Sequence, residues 1–236
     1  GVAWCAGAYF VRGMFVTLGF HRYFAHRSFK TYRWFQAVLA FFGSMALQRG
    51  VLSWTANHRD HHKFSDTELD QHSPVTNSFI WSHLGWTIGN QIKTKSNIGD
   101  LKKFPELVWL DKYWLLAAGV FFLFTFLAGG LVGLAYGGFL ATVLLWHFTF
   151  MVNSVCHKYG SRRFNTPDNS RNVWWLALMT LGECWQNSHH HYQHSANQGM
   201  HWTELDISYW VIKFLEKTRL IWSVKTYHPD SPCGRT

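Results

Sequence analysis

Apolar and charged positions occur along the chain in blocks, with long uncharged stretches separated by polar stretches that are rich in histidine. The longest uncharged block, residues 113–152, contains no Asp, Glu, Lys or Arg. A helix needs roughly 20 apolar residues to cross a bilayer, so this block is about long enough for two crossings. Gly129-Gly130 and Gly137-Gly138 offer turn points between them. The pattern predicts a membrane-spanning helical hairpin, and the alternative is a buried helix pair of a soluble protein.

Three shorter blocks complete the pattern. Residues 1–20 are apolar apart from Arg12 and predict a further span. Residues 34–48 are too few for a span, so we expect a helix near 34–50 that lies in the membrane interface. Residues 201–224 are typical of an amphipathic helix whose Trp-rich face lies on the membrane or on the polar part of the protein. Because the chain begins inside an apolar block and without Met, we expect further residues before Gly1 in the natural protein.

The composition combines membrane-like and polar features. Hydrophobic residues make up 48% of the chain and aromatic residues 18%, yet the mean hydropathy is only −0.09, which fits a membrane protein with a large polar head. The formal charge of +9 is compatible with anionic lipid, nucleic acid or an acidic substrate. No compact Lys/Arg run of the kind that binds nucleic acid is present, so we expect no nucleic-acid partner. The four cysteines form no CxxC pair, which argues against a cysteine zinc site.

Histidines are concentrated in four short motifs. In chain order these are HRYFAH at 21–26, HRDHH at 58–62, NSVCH at 153–157 and QNSHH at 186–190. Residues at i, i+3 and i+4 share one face of a helix, so the three histidines of the second motif project together. The fourth motif repeats this geometry with a glutamine in the place of the first histidine, and in the third motif the asparagine and the histidine are i and i+4. The first motif spaces its histidines five apart, about 140° on a regular α-helix, so one of them is expected just past a helix end.

Convergent histidines predict metal binding, because neutral imidazole is the commonest metal ligand. The motifs contain eight of them: His21, His26, His58, His61, His62, His157, His189 and His190. One metal takes roughly four to six ligands, so eight histidines indicate two neighbouring metals. Imidazole suits Zn, Cu, Fe and Ni alike, so the ligands alone do not name the metal. Of the remaining histidines, His72 is expected to support the site, and His191 and His194 stay open. His83, His147, His201 and His228 are typical of ordinary polar contacts.

Membrane topology places all four motifs on one side. If His21 and His58 meet at one site, an even number of crossings separates them, so residues 34–48 do not cross. The predicted hairpin then returns His157 to the side on which it began. The same side carries the basic residues Arg22, Arg27, Arg33, Arg59, Lys63, Lys158, Arg162 and Arg163. By the positive-inside rule this side is cytoplasmic.

The four motifs, in this order around an apolar hairpin, resemble those of the membrane fatty-acyl desaturases. The closest type is the Δ9 acyl desaturases, which include stearoyl-CoA desaturase and its bacterial relatives. The resemblance implies one all-α domain over 1–236, a membrane helical bundle whose cytosolic, histidine-rich cap (53–112 and 153–236) holds a di-iron site. It also implies a reaction in which O2 and two electrons give a cis double bond, at Δ9, in a saturated acyl chain, within unsaturated fatty acid biosynthesis.

The resemblance also assigns the metal ligands. One iron would be held by His21, His26, His58, His62 and His190. The other would be held by His61, His157 and His189, with Asn153 acting through a water. The remaining ligand of this second iron is a histidine in the family's usual pattern, whereas this chain has Gln186. The amide of Gln186, a water held by that amide, or one of His191 and His194 would then complete the second iron's ligands.

Further residues are expected to support the site and the substrate. A ligating histidine usually donates its other N–H to a carboxylate or carbonyl, and the nearby candidates are Asp60, Asp66, Asp70, Glu183 and Asn187. Arg49 is a candidate for binding the acyl head group, which belongs to acyl-CoA, an acyl-carrier protein or a phospholipid. Ala56-Asn57 stand where animal acyl-CoA enzymes have an acidic and a basic residue, so that contact with CoA is not reproduced. The aromatic-rich chain would line a bent tunnel for the acyl tail, and electrons would come from a separate donor of cytochrome b5 or ferredoxin type.

Three other functions use similar residues. An acyl or lipid hydroxylase would share the iron centre, and product analysis separates it from a desaturase. A histidine-rich membrane metal transporter would place its ligands within the spans near the bilayer centre, whereas here they lie at span ends or outside. A bis-histidine haem protein needs few histidines on facing spans rather than eight in motifs.

Overall fold

The computed structural model describes residues 1–89 and 92–227, so residues 90–91 and 228–236 of the expected cap lie outside the described part. The α-helices are α1 (Val2–Phe15), α2 (Arg33–Ser44), α3 (Val51–Phe64), α4 (Trp86–Ile88), α5 (Gly99–Lys102), α6 (Pro105–Lys112), α7 (Trp114–Val132), α8 (Ala141–Ser154), α9 (Gln186–His191) and α10 (Ile207–Lys217). Three π-helical segments are π1 (Val16–Ala25), π2 (Trp81–Gly85) and π3 (Gly133–Leu140). The fold is therefore helical, as expected.

One continuous helix is formed by α1 and π1, over Val2–Ala25. Its last part is π-helical, with i→i+5 hydrogen bonds such as that from the His26 amide to the His21 carbonyl at 3.1 Å. The wider turn places residues five apart nearly above one another. This geometry, rather than the 140° separation of a regular α-helix, brings His21 and His26 to the same side, with His26 at the C-cap as expected.

The block from Trp114 to Ser154 folds back on itself at Gly130, whose backbone is not helical (φ 57°, ψ −149°). The rings of Phe122 and Phe139 face each other across the reversal, 5.1 Å apart. Gly137-Gly138, the other expected turn point, lies within π3 and lets the two arms pack closely. By length and composition, this helix and Val2–Ala25 could cross a membrane.

The C-terminal amphipathic helix is shorter than the expected 201–224. It begins after Asp206, whose side chain accepts a hydrogen bond from the Tyr209 amide and caps α10. It ends at Lys217, and Ile221–Trp222 (β2) then pairs antiparallel with Lys30–Thr31 (β1). The fold is therefore not purely α-helical.

The segments that carry the histidine motifs converge at one end of the bundle. They are the end of π1, helix α3, the turn after α8, and α9. A core cluster packs beneath them, with Phe20, Phe24, Leu39, Val51 and Ile212 among its buried members. Helix α2 lies within this cluster through its buried residues, which helps to bring π1 and α3 together.

Candidate metal centre

Two groups of histidines lie side by side where these segments meet. The first group contains His21, His26, His58, His62 and His189. The second group contains His61, His157 and His190. Within each group, one ring nitrogen per histidine lies within 4.8 Å of all the others. The fold thus brings together the eight histidines that the motifs predicted to converge.

The Nε2 atoms of the first group form a series of short separations. His21 and His189 are 3.0 Å apart, His189 and His62 2.9 Å, His62 and His58 3.0 Å, and His58 and His26 2.8 Å. Two metal–nitrogen bonds of about 2.1 Å at right angles place their nitrogens about 3.0 Å apart, against about 3.4 Å at the tetrahedral angle. The spacing therefore fits a metal with roughly right-angled ligands better than a tetrahedral structural zinc.

Carboxylates fix the orientation of the rings, beginning with His21. Its Nδ1 faces the carboxylate of Glu183, which leaves Nε2 directed into the first group. Arg22 Nε donates to Glu183 Oε1 at 3.0 Å, and Arg22 Nη1 donates to Asp206 Oδ2 at 3.1 Å. Burial alone would raise the pKa of Glu183, but the charges of His21 and Arg22 outweigh it and lower that pKa to about 2. Glu183 is therefore an anionic acceptor for His21, as expected.

Every histidine of the second group donates its Nδ1 proton to an aspartate whose side chain is at most 7% exposed. The pairs are His61 with Asp70 at 3.0 Å, His157 with Asp66 at 3.1 Å, and His190 with Asp168 at 2.7 Å. With the proton held on Nδ1, each Nε2 carries a free lone pair. Among the described residues, the Nε2 atoms of His61 and His157 have no hydrogen-bond partner. Buried polar atoms without partners are rare, and a metal ion would satisfy both.

The pKa shifts differ between the two groups. Burial, assisted by the neighbouring imidazoles, lowers the pKa of His58, His62 and His189 well below the usual value. Neutral imidazole is the form that binds a metal, so these shifts suit ligation in the first group. In the second group, burial would lower the pKa of His61, but the charge of Asp70 outweighs it and raises that pKa. Burial would raise the pKa of Asp66, but its hydrogen bond with His157 contributes to lowering that pKa to about 2.

The structure reverses the expected division of the two neighbouring histidines of α9. His189 belongs to the first group and His190 to the second. Adjacent residues of a helix point about 100° apart, so the two rings face different groups. The bond from His190 to Asp168 holds this ring in the second group, and that contact is not visible in the helical spacing.

Gln186 points into the second group, as its place in the motif predicted. It is 2% exposed, its Nε2 lies 3.0 Å from His190 Nε2, and its Oε1 has no partner among the described residues. The oxygen and nitrogen of an amide are assigned from hydrogen bonding. With the amide turned over, its oxygen and His190 Nε2 would be two acceptors facing one point, which is the arrangement of two ligands on one metal.

Two of the expected supporting residues have other partners. Asp60 Oδ2 accepts a hydrogen bond from the Lys95 amide at 2.6 Å rather than from a histidine. Asn187 Oδ1 accepts from the backbone amides of Arg163 and Phe164, both at 2.7 Å, and so holds the loop that precedes Asp168. Asp66, Asp70 and Glu183 do contact histidines, as expected.

Asp168 and Gln198 are contacts that the sequence analysis missed. Gln198 Nε2 donates to Glu183 Oε2 at 3.1 Å and lies 3.4 Å from Nδ1 of both His21 and His189. Asp168 accepts from the Ser170 amide at 3.0 Å, which is typical of an ordinary polar turn. Neither residue stands at helical spacing from a motif, so no local signal identifies it.

The two histidines that were left open lie outside both groups. The ring of His191 stacks on Phe164 at 4.1 Å between centroids. His194 Nδ1 lies 2.7 Å from the carbonyl oxygen of His26 and so contacts the backbone of a grouped residue. Neither ring takes the place of Gln186.

The remaining histidines have supporting or separate contacts. His72 lies 4.5 Å from His61 between ring centroids, and its Nδ1 is 3.5 Å from Asp70 Oδ1, which agrees with the supporting role expected for it. His83 Nε2 lies 2.9 Å from His147 Nδ1, forming a separate pair. His228 lies outside the residues that the structure describes.

Two adjoining cavities lie beside the first histidine group; they are called the two arms, and the stretch of lining that they share is called the bend. One arm extends past His21, Thr17 and Gly13 to Tyr9 along the α1–π1 helix, and the other is lined by Arg49, His72, Trp86, Trp114 and Trp146 among others. The two arms share Trp54, His58, Thr149 and Asn153. At this bend Gln48 Nε2 donates to Thr149 Oγ1 at 3.1 Å, and Trp54 Nε1 donates to Gln48 Oε1 at 3.3 Å. These hydrogen bonds hold the shape of the bend.

Comparison with known proteins agrees with the motifs. A family model described as "Fatty acid desaturase" matches residues 2–223. The chain is 38% identical to the sn-2 palmitoyl-lipid 9-desaturase of Nostoc sp. (strain 36), over 91% of the chain and 78% of that protein. It is 39% identical to the Delta-9 acyl-lipid desaturase 1 of Arabidopsis thaliana, over 92% of the chain and 72% of that protein. It is also 39% identical to the sn-1 stearoyl-lipid 9-desaturase of Synechocystis sp., over 90% of the chain and 68% of that protein.

Proposed function

The chain belongs to the fatty acid desaturase family and is an acyl desaturase, and we propose that it forms a cis Δ9 double bond in a membrane-lipid acyl chain, with two irons and O2. The observation that carries this proposal is the position of the first histidine group at the bend, where two mostly apolar cavities adjoin. A saturated chain that occupied both arms would pass Trp54, Thr149 and His58. Its methylenes at the bend then lie next to the first group.

The donor set supports two irons. The first group offers five imidazoles, and the second offers three imidazoles with the amide of Gln186 beside His190. Asn153 lines both arms together with His58. Two bound irons would supply the redox chemistry with O2 that an unactivated methylene requires, because such a C–H bond is not acidic enough for a side-chain base. In the overall reaction, two hydrogens leave adjacent methylenes. O2 takes up these two hydrogens together with two electrons and two protons, and it is thereby reduced to two waters.

The protein's own residues position the substrate and keep the ligands in one state. Trp54, Gln48 and Thr149 hold the bend, so one methylene pair is presented to the site. Apolar side chains such as Leu145 and Val152 line the arm beyond it and limit water. The aspartates of the second group hold the Nδ1 protons, which keeps each Nε2 available for a metal throughout the reaction.

A glycerolipid acyl chain is the proposed substrate. Arg49 is the only residue with a permanent charge among the described residues that line the second arm, where Trp114 and Trp146 also lie. One guanidinium beside aromatic residues suits the phosphate of a membrane lipid at the interface, whereas CoA brings several phosphates. The similar proteins named as acyl-lipid desaturases support the same choice. The electrons would come from a separate protein of cytochrome b5 or ferredoxin type.

The proposed setting is an integral membrane protein with its histidine groups on the cytoplasmic face. Val2–Ala25 would cross the membrane once, and the two halves of the Trp114–Ser154 hairpin would cross it twice. Both segments are long and apolar enough to cross. Leu115, Leu123, Phe124, Leu127 and Leu131 are exposed along α7, which would place them in lipid. The basic residues near the histidine groups support the cytoplasmic orientation.

Product analysis tests the function directly. The protein is reconstituted in vesicles of saturated phosphatidylcholine with an electron donor, or given stearoyl-CoA in a parallel reaction. We expect a cis Δ9 monounsaturated acyl chain in the lipid and little product from the CoA ester. A hydroxylated chain would favour the hydroxylase. Product from the CoA ester alone would overturn the lipid assignment but not the desaturase chemistry.

The role proposed for Gln186, as an amide ligand or the holder of a ligating water, predicts a selective effect on metal. Gln186→Leu is expected to lower metal affinity in the second group by about tenfold or more while the first group stays loaded, because only the second group loses a donor. Gln186→His is expected to keep or raise the metal content. Metal analysis after titration with a chelator measures both.

His191→Ala is the matched control, since this ring stacks on Phe164. It should leave both metals in place. The role of Gln186 would be refuted if Gln186→Leu kept two metals and normal turnover while His191→Ala lost one.

A further inference from the structure

The segment from Val173 to Leu181 has an uncharged sequence and an unusual position. The chain carries no Asp, Glu, Lys or Arg between Arg171 and Glu183. The Val173 amide donates to the Cys184 carbonyl at 3.0 Å, so the two ends of the segment lie together. The segment therefore leaves the histidine-bearing end of the protein and returns to it.

The far part of this segment lies well along the α1–π1 helix. The hydroxyl of Tyr9 donates to the Met179 carbonyl. Leu181 packs so closely on Gly13 that a Cβ there would lie 3.1 Å from Leu181 Cδ1. Tyr9 precedes His21 by twelve residues, which corresponds to roughly 15–18 Å at helical rise. Met179 is thus beside the middle of a helix that is long and apolar enough to cross a membrane.

The two faces of the segment differ in what they contact. Met179, Thr180 and Leu181 line the arm of the cavity that ends at Tyr9. On the other side, Trp174 is 75% exposed, Trp175 56% and Leu178 52%. Three large exposed apolar side chains on a segment without charged residues suit hydrocarbon rather than water.

Several backbone groups of the segment have partners within the protein. Lipid offers no hydrogen bonds, so backbone groups at membrane depth must find partners within the protein. The amides of Leu176, Ala177 and Thr180 donate to carbonyls three or four residues earlier, at 2.9–3.1 Å. The Gly182 amide donates to the Ala177 carbonyl at 2.9 Å, with Gly182 in a left-handed conformation (φ 101°) that turns the chain back.

We propose that residues 173–181 form a re-entrant segment that lies in the bilayer, with its outer face on lipid acyl chains and its inner face closing the substrate cavity. The inference rests on the membrane location in the proposed function. Its consequence is that a single layer of protein separates the far arm of the cavity from the surrounding lipid.

Spin labelling tests this location. Leu178→Cys and Trp175→Cys are labelled in protein with Cys5→Ser and Cys233→Ser, since Cys156 and Cys184 are buried. In phosphatidylcholine vesicles, collision rates with O2, which concentrates in lipid, are compared with those of a water-soluble nickel chelate. We expect both labels to collide more with O2 than with the chelate. Retained desaturation of the labelled proteins shows that they are folded.

Two control positions separate the possible failures. Leu123→Cys on α7 is the lipid reference, and Tyr159→Cys, 54% exposed in the turn after α8, is the water reference. If the label at Leu178 has collision rates like those at Tyr159, while the label at Leu123 collides mainly with O2, the re-entrant segment is refuted and the membrane spans are retained. Labels at 175 and 178 that neither reagent reaches would also refute it, since protein would then cover this face. If Leu123 itself reports water, the membrane location fails as a whole.

Discussion

Replacing His189 by alanine is expected to abolish turnover and to lower the metal content of the first histidine group. His189 Nε2 lies 3.0 Å from that of His21 and 2.9 Å from that of His62, and the ring is 1% exposed. Loss of a supporting partner typically costs 10–100-fold in affinity or activity, and loss of a ligand should exceed about a hundredfold. The measurement is metal per chain together with turnover in saturated lipid vesicles.

The control for this prediction is His191→Ala, two residues after His189 on the same helix. Both residues lie on α9, but His191 is partly exposed and stacks on Phe164 outside both groups. We expect His191→Ala to retain metal and most of its turnover. Full turnover by the folded His189→Ala protein would remove His189 from the centre. His58→Ala should give the same result as His189→Ala, and His61→Ala should abolish turnover while lowering the metal content of the second group.

Asp168→Asn is expected to weaken the metal of the second group by about 10–100-fold and to leave the first group loaded. Asp168 receives the Nδ1 proton of His190 at 2.7 Å, and this bond fixes both the tautomer and the direction of the ring. An asparagine can turn its NH2 toward Nδ1, and the ring then loses its preference for a free Nε2 lone pair. Chelator titration with metal analysis measures the affinity of each group.

The matched control is Asp60→Asn, which removes the same charge from α3. The sequence predicted that Asp60 would support a histidine, but its carboxylate accepts a hydrogen bond from the Lys95 amide instead. We therefore expect Asp60→Asn to leave metal affinity within about twofold. Equal losses in the two variants would mean that general charge, rather than the bond to His190, supports the second group.

Helical spacing predicted the residues of the centre because the motifs are local. His58, His61 and His62 lie on one helix, and their projection follows from its period. His21 and His26 did not fit an α-helix, and the structure resolves this through a π-helical segment whose hydrogen bonds are not encoded by any simple spacing.

The division into two groups could not be predicted in the same way, since it depends on contacts between distant parts of the chain. No carboxylate stands three or four residues from His190 in the sequence. Its partner, Asp168, lies 22 residues earlier in a loop. The resemblance to desaturases therefore named the eight histidines that the structure brings together, but it placed His189 and His190 each in the other group. Likewise, α10 is shorter than its amphipathic pattern because Asp206 caps it and the chain after Lys217 pairs with β1.

Metal content measured on the active protein tests the proposed two-iron centre most directly. The protein is produced with 57Fe, purified without chelators, and analysed for iron per chain and by Mössbauer spectroscopy on the sample used for turnover. We expect about two irons per chain, in two environments that reflect a five-histidine group and a three-histidine group with an amide. Full desaturase turnover in a sample that holds one iron per chain, or zinc in place of iron, would contradict this proposal.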